Sequence, residues 1–360
     1  MARVRDLSLT TILCLAGIGL STLLFGPQIA RTFTGANDFT GFYTAGKLAF
    51  SQDLYDVQSF MRAQGNATGL MSDQILFVRL PWQAVAFAPF TLLPFPAAHT
   101  AWTVICILAV GVFAACFPTA PFAARAIAIC WTIPVFIAIV VGQDIPLVLT
   151  ALGAGFLLID RDRPMLGGLC ISLGMAKPHL LWPLALVFLW HRMWRVCAGG
   201  AIGSAALLIV SFLAGGADWI ERCLQVMRYT DQHARLIMMP TLHTALLTVA
   251  HGNAIEVAVA LALLAAILRG AAWKQSAAIA LTVGIVLGRH AFMADCALLL
   301  PALFLSWNDR RARAVFLVLI SPLTFVPGIF FNIGWVVVVL SAGVLALGVP
   351  RTPKDALANK

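Results

Sequence analysis

Long apolar segments separated by short polar stretches recur along the whole chain. A helix that crosses a membrane needs about 20 predominantly apolar residues. Segments near that length predict spans at about 9–29, 97–116, 126–142, 145–160, 164–176, 179–193, 197–214, 253–268, 275–288, 291–307, 314–328 and 331–348. Several are shorter than a full crossing, and the two beside Lys177 are read either as half-helices or as one broken span. The pattern predicts an all-α, polytopic transmembrane helical bundle with about 10–12 spans.

Two longer polar regions interrupt this pattern, at 31–96 and at 215–252. The first contains a proline-rich apolar piece, LPWQAVAFAPFTLLPFP (80–96), which is about half the length of a span. It also contains an amphipathic piece near 54–64. Both pieces are expected to form short amphipathic or re-entrant helices at the membrane surface. We therefore predict a single integral membrane domain, 1–360, with two outer loops at these positions.

The composition agrees with a membrane protein. Hydrophobic residues make up 61% of the 360 residues and charged residues only 11%, whereas soluble domains carry roughly 25% charged residues. A soluble enzyme is therefore excluded. The N-terminal MARVRD precedes an apolar run from Leu7 to Ala30, which is too long for the core of a typical signal peptide and lacks a convincing cleavage site. We interpret this run as a retained first span.

The net charge of +9 is unevenly distributed. If the N-terminus lies in the cytoplasm, the basic residues cluster in short cytoplasmic loops, as the positive-inside rule describes. These residues are Arg3, Arg5, Arg125, Arg161, Arg163, Arg192, Arg195, Arg269, Lys274, Arg310, Arg311, Arg313, Arg351, Lys354 and Lys360. The basic excess thus indicates a multi-pass protein of the cytoplasmic membrane with both termini inside, and it gives no support to nucleic-acid binding. All three tyrosines and every histidine except His191 fall outside, so the outer face is predicted to carry the function.

The stretch NDFTGFYTAGKLAF (37–50) follows the first span and contains the first outer carboxylate, Asp38. A residue such as Asn37 or Asp38 at this position suits the N-cap of the next helix. A carboxylate at the membrane surface also suits a general base that acts on the head group of a lipid-borne substrate. Taken alone, the stretch leaves both interpretations open for Asp38.

A second polar island is GMAKPHLLWP (174–183), where Lys177 lies within apolar sequence and Pro178 ends the preceding helix. A lysine at this depth is costly unless it faces a cavity or a partner. One interpretation is a lysine whose charged end reaches the membrane surface. The other is an anion site for a phosphate, formed by Lys177 with His179.

Two further islands lie on the predicted outer side. VVGQDIP (140–146) places Gln143 and Asp144 between two apolar runs, and a tight turn is the slightly favoured interpretation for Asp144. VLGRHAFMADCALLLP (286–301) contains Arg289, His290 and Asp295. The spacing of His290 and Asp295 predicts that they share one helical face. Two cations and an acid at this level suit substrate binding, with a structural ion pair as the alternative.

No pattern in the sequence predicts a metal or nucleotide site. DRDR (160–163) imitates an Asp-x-Asp metal motif, but it lies on the inner side among arginines and is better explained by topology. A transferase on the outer face without a nucleotide domain needs a donor that is dissolved in the bilayer. A polyprenyl-phosphate sugar fits, because the cations would stabilise the leaving phosphate while the carboxylate takes the proton of the acceptor hydroxyl.

The order of these motifs resembles the family 87 glycosyltransferases, which are GT-C-type integral membrane enzymes. The resemblance runs from about Asn37 to Leu300 and rests on DFTGFYTAGKLA…DLYD, PWQAVAFAPFTLLP…AW, GQDIPLVLTAL and LGGLCISLGMAKPHLLWPLALVFLWHRMWR. It implies an inverting transfer, typically of mannose from a polyprenyl phosphate, without a metal. It also implies that the base falls on Asp38 and that the family's other elements fall on Gly142–Gln143, Lys177–Pro178 with His179, and His290 with Asp295. Ala294 stands where the family commonly has tyrosine, and Arg289 precedes the histidine.

We therefore predict a glycosyltransferase that moves a sugar from a polyprenyl-phosphate donor to a hydroxyl of a lipid or glycan acceptor on the outer face. Its partners are the donor, the acceptor and membrane lipids, and no cofactor is predicted. Asp38 is the expected base. The donor phosphate is assigned to Lys177, His179, Arg289 and His290, and positioning of the sugar or of other groups to Tyr43, Gln143 and Asp295. The alternatives are a transporter or lipid flippase, disfavoured because no internal repeat is visible, and a non-catalytic envelope scaffold.

Overall fold

The computed structural model describes residues 2–33, 37–69, 75–233, 239–270 and 272–348, and within these ranges every regular element is helical. The helices, in chain order, are α1 (Ala2–Phe33), α2 (Asp38–Lys47), α3 (Val57–Thr68), α4 (Pro81–Phe87), α5 (Phe95–Ala115), α6 (Phe122–Trp131), α7 (Ile133–Val140), α8 (Ile145–Asp160), α9 (Pro164–Ile171), α10 (Pro178–Trp190), α11 (Trp194–Gly215), α12 (Trp219–His233), α13 (Leu242–Leu246), α14 (Gly252–Leu268), α15 (Trp273–Leu287), α16 (Leu299–Leu305), α17 (Arg310–Ile320), α18 (Pro322–Phe330) and α19 (Gly334–Gly348). Short 3₁₀ segments cover Gln52–Tyr55, Ala88–Leu92, Ser172–Ala176 and Met293–Leu298.

Four helical stretches are long and apolar enough to cross a membrane, by length and composition. They are Ser8–Gly26 within α1, α5, α11 and the stretch Arg310–Phe330 formed by α17 and α18. The pair α6 and α7, bent by 65° at its break, makes a fifth if it is one span. The prediction of an all-α polytopic membrane bundle is confirmed.

Each remaining predicted span also coincides with a helical segment, but these segments have only 10–17 residues. At about 1.5 Å per residue they are shorter than a bilayer core of about 30 Å. The figure of about 10–12 crossings therefore stays a prediction. The break at Lys177 is real, because the 3₁₀ segment that follows α9 ends there and α10 starts at Pro178.

The centre of the bundle is formed by α15, whose side chains from Ser276 to Val286 are all buried. A helix that is buried all round needs no polar face. By contrast α1, α5 and α11 expose large apolar side chains, such as Leu23 and Leu213, as expected for helices that face lipid. The helices α9 and α11 pack closely at Gly168 and Gly199, where a Cβ atom would overlap the facing backbone.

The two regions predicted as outer loops contain short helices. The first holds α2, α3, α4 and two 3₁₀ segments, so the amphipathic piece near 54–64 is helical for most of its length. The second holds α12 and α13. Residues 34–36, 70–74 and 234–238 of these loops lie outside the described residues, as do the C-terminal Arg351, Lys354 and Lys360.

Candidate functional site

The start of α2 is fixed by a cap and by a contact with a distant turn. Asn37 has extended backbone angles, and its side-chain oxygen accepts a hydrogen bond from the Thr40 amide at 3.1 Å. This is the N-cap that the sequence predicts for Asn37. The Asp38 amide donates to the Val141 carbonyl at 2.9 Å. The predicted first outer loop is thereby joined to the turn between α7 and α8, with Asp38 beside that turn.

Aromatic side chains pack around the contact between α2 and this turn. Phe39 is fully buried, and its ring stacks on Trp102 of α5 with 5.8 Å between ring centroids. The Trp102 indole donates to the Gly142 carbonyl at 2.9 Å. Gly142 has a positive φ of 70°, which favours glycine, and a Cβ atom there would lie 2.8 Å from the Phe39 Cβ. The turn and the first residues of α2 therefore hold each other in a single arrangement.

Gln143 joins two of the predicted site residues. Its side-chain Nε2 donates to the Asp38 carboxylate, and its Oε1 accepts from the Lys177 ammonium at 3.1 Å. An amide has donors on one side and an acceptor on the other, so its orientation is set by both neighbours. The line from Asp38 through Gln143 to Lys177 joins three chain segments in one polar network.

The Lys177 ammonium lies at the centre of this network. Its side chain is only 2% exposed, and it forms ion pairs with Asp295 at 2.7 Å and with Asp144 at 3.5 Å. With Gln143, these two residues place three oxygens within 3.5 Å of the ammonium. The two carboxylates compensate a cation that would be costly if it were buried alone.

Asp144 contacts two residues that the sequence does not single out, Gln83 and Arg79. Its Oδ2 accepts from Gln83 Nε2 at 3.0 Å and lies 3.6 Å from Arg79 Nε. The turn favoured for Asp144 is present, but its buried carboxylate belongs to the network. Arg79 carries the same signal that marked Lys177, since it is a cation directly beside an apolar helix, here α4.

Asp295 reaches the network from the 3₁₀ segment Met293–Leu298. Its Oδ2 accepts from the Phe292 amide at 2.7 Å, while its Oδ1 pairs with Lys177. His290 precedes this helical segment, so the prediction that His290 and Asp295 share a helical face is wrong. The reason is the extended backbone at Phe292, which interrupts the helix between the two residues.

The other predicted phosphate ligands lie beside the network rather than in it. His179, partly exposed at the start of α10, hydrogen-bonds to the backbone of His290. The His290 ring packs edge-on against Phe292 with 5.1 Å between centroids, and Arg289 is exposed. The structure therefore brings His179 and His290 together and leaves Arg289 at the surface next to them.

Tyr43 is not brought into the network. It is buried further along α2, its hydroxyl donates to the Leu93 carbonyl at 2.8 Å, and its ring packs against Phe39 and Phe95. This arrangement places Tyr43 in the aromatic cluster that supports α2. Its predicted role in positioning the sugar stays a prediction.

Asp38 differs electrostatically from an ordinary surface aspartate. Burial of the carboxyl raises its pKa from the usual 3.8 to about 6, against the opposing effect of the Arg79 and Lys177 cations, while Asp144 and Asp295 raise it further. The side chain is nevertheless partly exposed. A partly accessible carboxylate with a raised pKa is a stronger base than a free aspartate and can reach a substrate hydroxyl.

A second polar site lies away from this network, where α13 meets α14. His243 Nδ1 lies 3.0 Å from Glu256 Oε2, and the pair borders a cavity of about 280 Å³. The other lining residues are Leu246, Leu247, Val249, His251, Gly252 and Asn253. Among the described residues, no three His, Cys, Asp or Glu side chains are arranged to hold a metal ion. Asp160 of the DRDR motif instead pairs with Lys274 at 2.7 Å.

Comparison with known proteins adds one finding. A family model described as "Glycosyltransferase family 87" matches residues 77–306, which is more than half of the chain. The matched region contains Arg79, Gln143, Lys177 and Asp295, while Asp38 lies before it. No curated protein and no solved structure gives a significant match.

Proposed function

We propose that this chain, which belongs to glycosyltransferase family 87, is a membrane enzyme that transfers a sugar from a polyprenyl phosphate to an acceptor hydroxyl. The proposed sugar is mannose. The acceptor is a hydroxyl group of a lipid or glycan. The reaction inverts the configuration at the anomeric carbon. It takes place on the outer face of the cytoplasmic membrane, with both chain termini inside.

The observation that supports this proposal most strongly is the different environment of the three carboxylates. Asp144 and Asp295 both contact the Lys177 ammonium, whereas Asp38 contacts the neutral amide of Gln143. Asp38 is also partly exposed, while the other two are buried. Asp38 is therefore free to accept a proton from a substrate, and Gln143 holds it in place.

The transfer is a single displacement in this proposal. The acceptor oxygen attacks the anomeric carbon, its proton passes to Asp38, and the bond from the anomeric carbon to the phosphate oxygen breaks. The electron pair of that bond stays on the polyprenyl phosphate, whose growing charge needs cations nearby. His179, Arg289 and His290 are proposed to lie close to this phosphate, and Asp295 and Tyr43 to position other groups.

The Lys177 ammonium already contacts three oxygens of the protein. A direct contact between Lys177 and the donor phosphate therefore stays a prediction. Neither a metal nor another cofactor is part of the proposed reaction. A transporter or lipid flippase is the alternative, and the family membership favours the transferase.

The test is transfer of labelled mannose from polyprenyl-phosphate mannose by the purified full-length protein, with envelope lipid or glycan extracts as acceptors. We expect the wild-type protein to label an acceptor. Asp38→Asn should lower the rate by about 10²–10⁴-fold, because a positioned base contributes about that much. Helical content should stay unchanged in this variant, and its unfolding temperature should not fall, because burial disfavours the charged carboxylate that it removes.

Asp56→Asn is the matched control, since Asp56 lies at the N-terminus of the neighbouring helix α3, where it caps the Ser59 amide at 2.7 Å. It should transfer at nearly the wild-type rate. Near-normal turnover by Asp38→Asn would remove Asp38 as the base. Failure of the wild-type protein with every polyprenyl-phosphate sugar would refute the proposed donor and favour a transporter.

A further inference from the structure

We infer that Arg79 binds the phosphate group of the lipid donor and stabilises it as the sugar leaves. The inference rests on the proposed function, in which the donor is a polyprenyl phosphate, and it assigns Arg79 as a cation that binds this phosphate. Arg79 lies within the matched family region, on the segment that leads into α4. Four observations support this role.

The first is that the Arg79 guanidinium is more exposed than the Lys177 ammonium and has unused donors. The Lys177 side chain is 2% exposed and its ammonium contacts three oxygens, whereas the Arg79 side chain is 13% exposed. Among the described residues, the Arg79 guanidinium has one ion pair, from Nε to Asp144 at 3.6 Å, and no hydrogen bond. A guanidinium has five N–H donors. Two terminal nitrogens are thus available for two oxygens of one phosphate.

The second is that the backbone of Arg79 is held from two directions. The Arg79 carbonyl accepts the Tyr55 hydroxyl at 2.5 Å and the Cys223 thiol at 3.9 Å. Tyr55 lies in the first outer loop and Cys223 in α12 of the second, and both are buried. Ligand-binding side chains need such support, because an anchored backbone reduces the ordering required on binding.

The third is that Arg79 belongs to the same network as the proposed base. Arg79 Nε lies 3.6 Å from Asp144 Oδ2, and Asp144 Oδ1 lies 3.5 Å from the Lys177 ammonium. Gln143 bonds both to that ammonium and to the Asp38 carboxylate. Of the cations that lower the pKa of Asp38, Arg79 has the largest effect, which agrees with this placement.

The fourth is chemical fit to the proposed step. When the bond between the anomeric carbon and the phosphate oxygen breaks, the bonding electrons remain on that oxygen and the acceptor proton moves to Asp38. The phosphate thereby gains negative charge, which a nearby cation stabilises. Paired hydrogen bonds from a guanidinium are among the strongest contacts that a side chain offers to a phosphate.

The experiment measures binding of a polyprenyl phosphate without sugar, and of the matching polyprenol, to the full-length protein in lipid nanodiscs. We expect Arg79→Gln to weaken binding of the polyprenyl phosphate by about tenfold or more, because hydrogen bonds to charged groups are lost. Binding of the polyprenol should not change. Arg79→Lys should fall between the two, since it keeps the charge and loses the paired geometry.

Arg62→Gln is the matched control, because it removes an exposed cation from α3 in the same outer loop. It should bind both lipids as the wild-type protein does. If Arg79→Gln and Arg79→Lys bind polyprenyl phosphate as tightly as the wild-type protein, Arg79 is not the phosphate ligand. If Arg79→Gln does not fold, as judged by its circular dichroism, Arg79→Lys decides by the same comparison.

The inference and the proposed function fail in different ways. A wild-type protein that binds polyprenyl phosphate no better than polyprenol refutes the proposed donor, and the inference with it. A wild-type protein that prefers the phosphate and transfers sugar, while Arg79→Gln and Arg79→Lys bind equally well, overturns the assignment of Arg79 alone.

Discussion

The Lys177–Asp295 pair and the His243–Glu256 pair both join a basic side chain to a carboxylate, but their surroundings differ. Lys177 and Asp295 are each 2% exposed and share their charges with Asp144 and Gln143. His243 and Glu256 are 29% and 26% exposed and border an open cavity. A buried pair must be complete, because an unpaired charge in the interior is costly, whereas water screens a partly exposed pair. Burial and the number of partners, rather than residue type, therefore separate the two sites.

The largest effect is expected from Lys177→Met, which leaves Asp144 and Asp295 without their shared ammonium. Breaking a buried pair typically costs about 3–5 kcal/mol, so the unfolding temperature in detergent should fall sharply and sugar transfer should be lost. The double variant Lys177→Met/Asp295→Asn removes one of the stranded charges and should recover part of the stability. Unchanged thermal unfolding of Lys177→Met would show that the network is not needed for stability.

A smaller effect is expected from Gly142→Ala, which tests whether the backbone of the turn positions the network. An alanine at a φ of 70° costs about 1–2 kcal/mol, and its Cβ would lie 2.8 Å from the Phe39 Cβ. Both stability and transfer should fall, because Asp38 is bonded to this turn. Gly19→Ala in α1 is the control, since nothing lies within 4 Å of a Cβ there. Equal behaviour of the two variants would contradict the prediction.

The pH dependence of transfer tests whether Asp38 differs from Asp56, a carboxylate outside the network. Burial raises the pKa of Asp38 to about 6, whereas backbone and side-chain hydrogen bonds from Ser59 lower the pKa of Asp56. Transfer should therefore fall about tenfold per pH unit below about pH 6, as the base becomes protonated. A rate that stays flat from pH 7 to pH 5 would contradict Asp38 as the base.

Unfolding does not explain such a loss of activity. Because the pKa of Asp38 is higher in the folded than in the unfolded state, its protonation makes the folded state more stable as the pH falls from about 6 to about 4. This contribution is lost again as the pH rises through about 6. A thermal unfolding series over the same pH range separates the two effects.

The smallest effect is expected from Glu256→Gln, which removes the charge from the partly exposed pair. Such pairs contribute about 0–1 kcal/mol, so the unfolding temperature should hardly move. Transfer should also stay near the wild-type rate, because His243 and Glu256 belong to neither the network nor the proposed reaction. If Glu256→Gln lowers the unfolding temperature and the transfer rate as much as Lys177→Met does, the two ion pairs are equally important and the comparison is wrong.

The sequence predicts the local features of this protein well. Each predicted span coincides with a helical segment, since apolar length is a local property. The cap at Asn37, the break at Lys177 and the turn at Asp144 are also local and are all present. Three of the predicted site residues, Gln143, Lys177 and Asp295, join Asp38 in one network.

The contacts between distant segments could not be predicted. Nothing near Asp38 indicates that Gln143 bonds to it, and nothing near Arg79 or Gln83 indicates that both contact Asp144. The prediction that His290 and Asp295 share a helical face is wrong because the backbone at Phe292 is extended. Tyr43 lies on the same helix as Asp38, but its hydroxyl donates to the Leu93 carbonyl, and its role in positioning the sugar stays a prediction.

The position of Lys177 between its two acids has a consequence for biosynthesis. Asp144 is made before Lys177, whereas Asp295 follows roughly a third of the chain later. A nascent chain that has inserted α10 therefore contains the lysine with only one of its counter-ions. The shorter of the two ion pairs, at 2.7 Å, forms only after the segment Met293–Leu298 has been made, so the last element of the network to be synthesised completes the surroundings of Lys177.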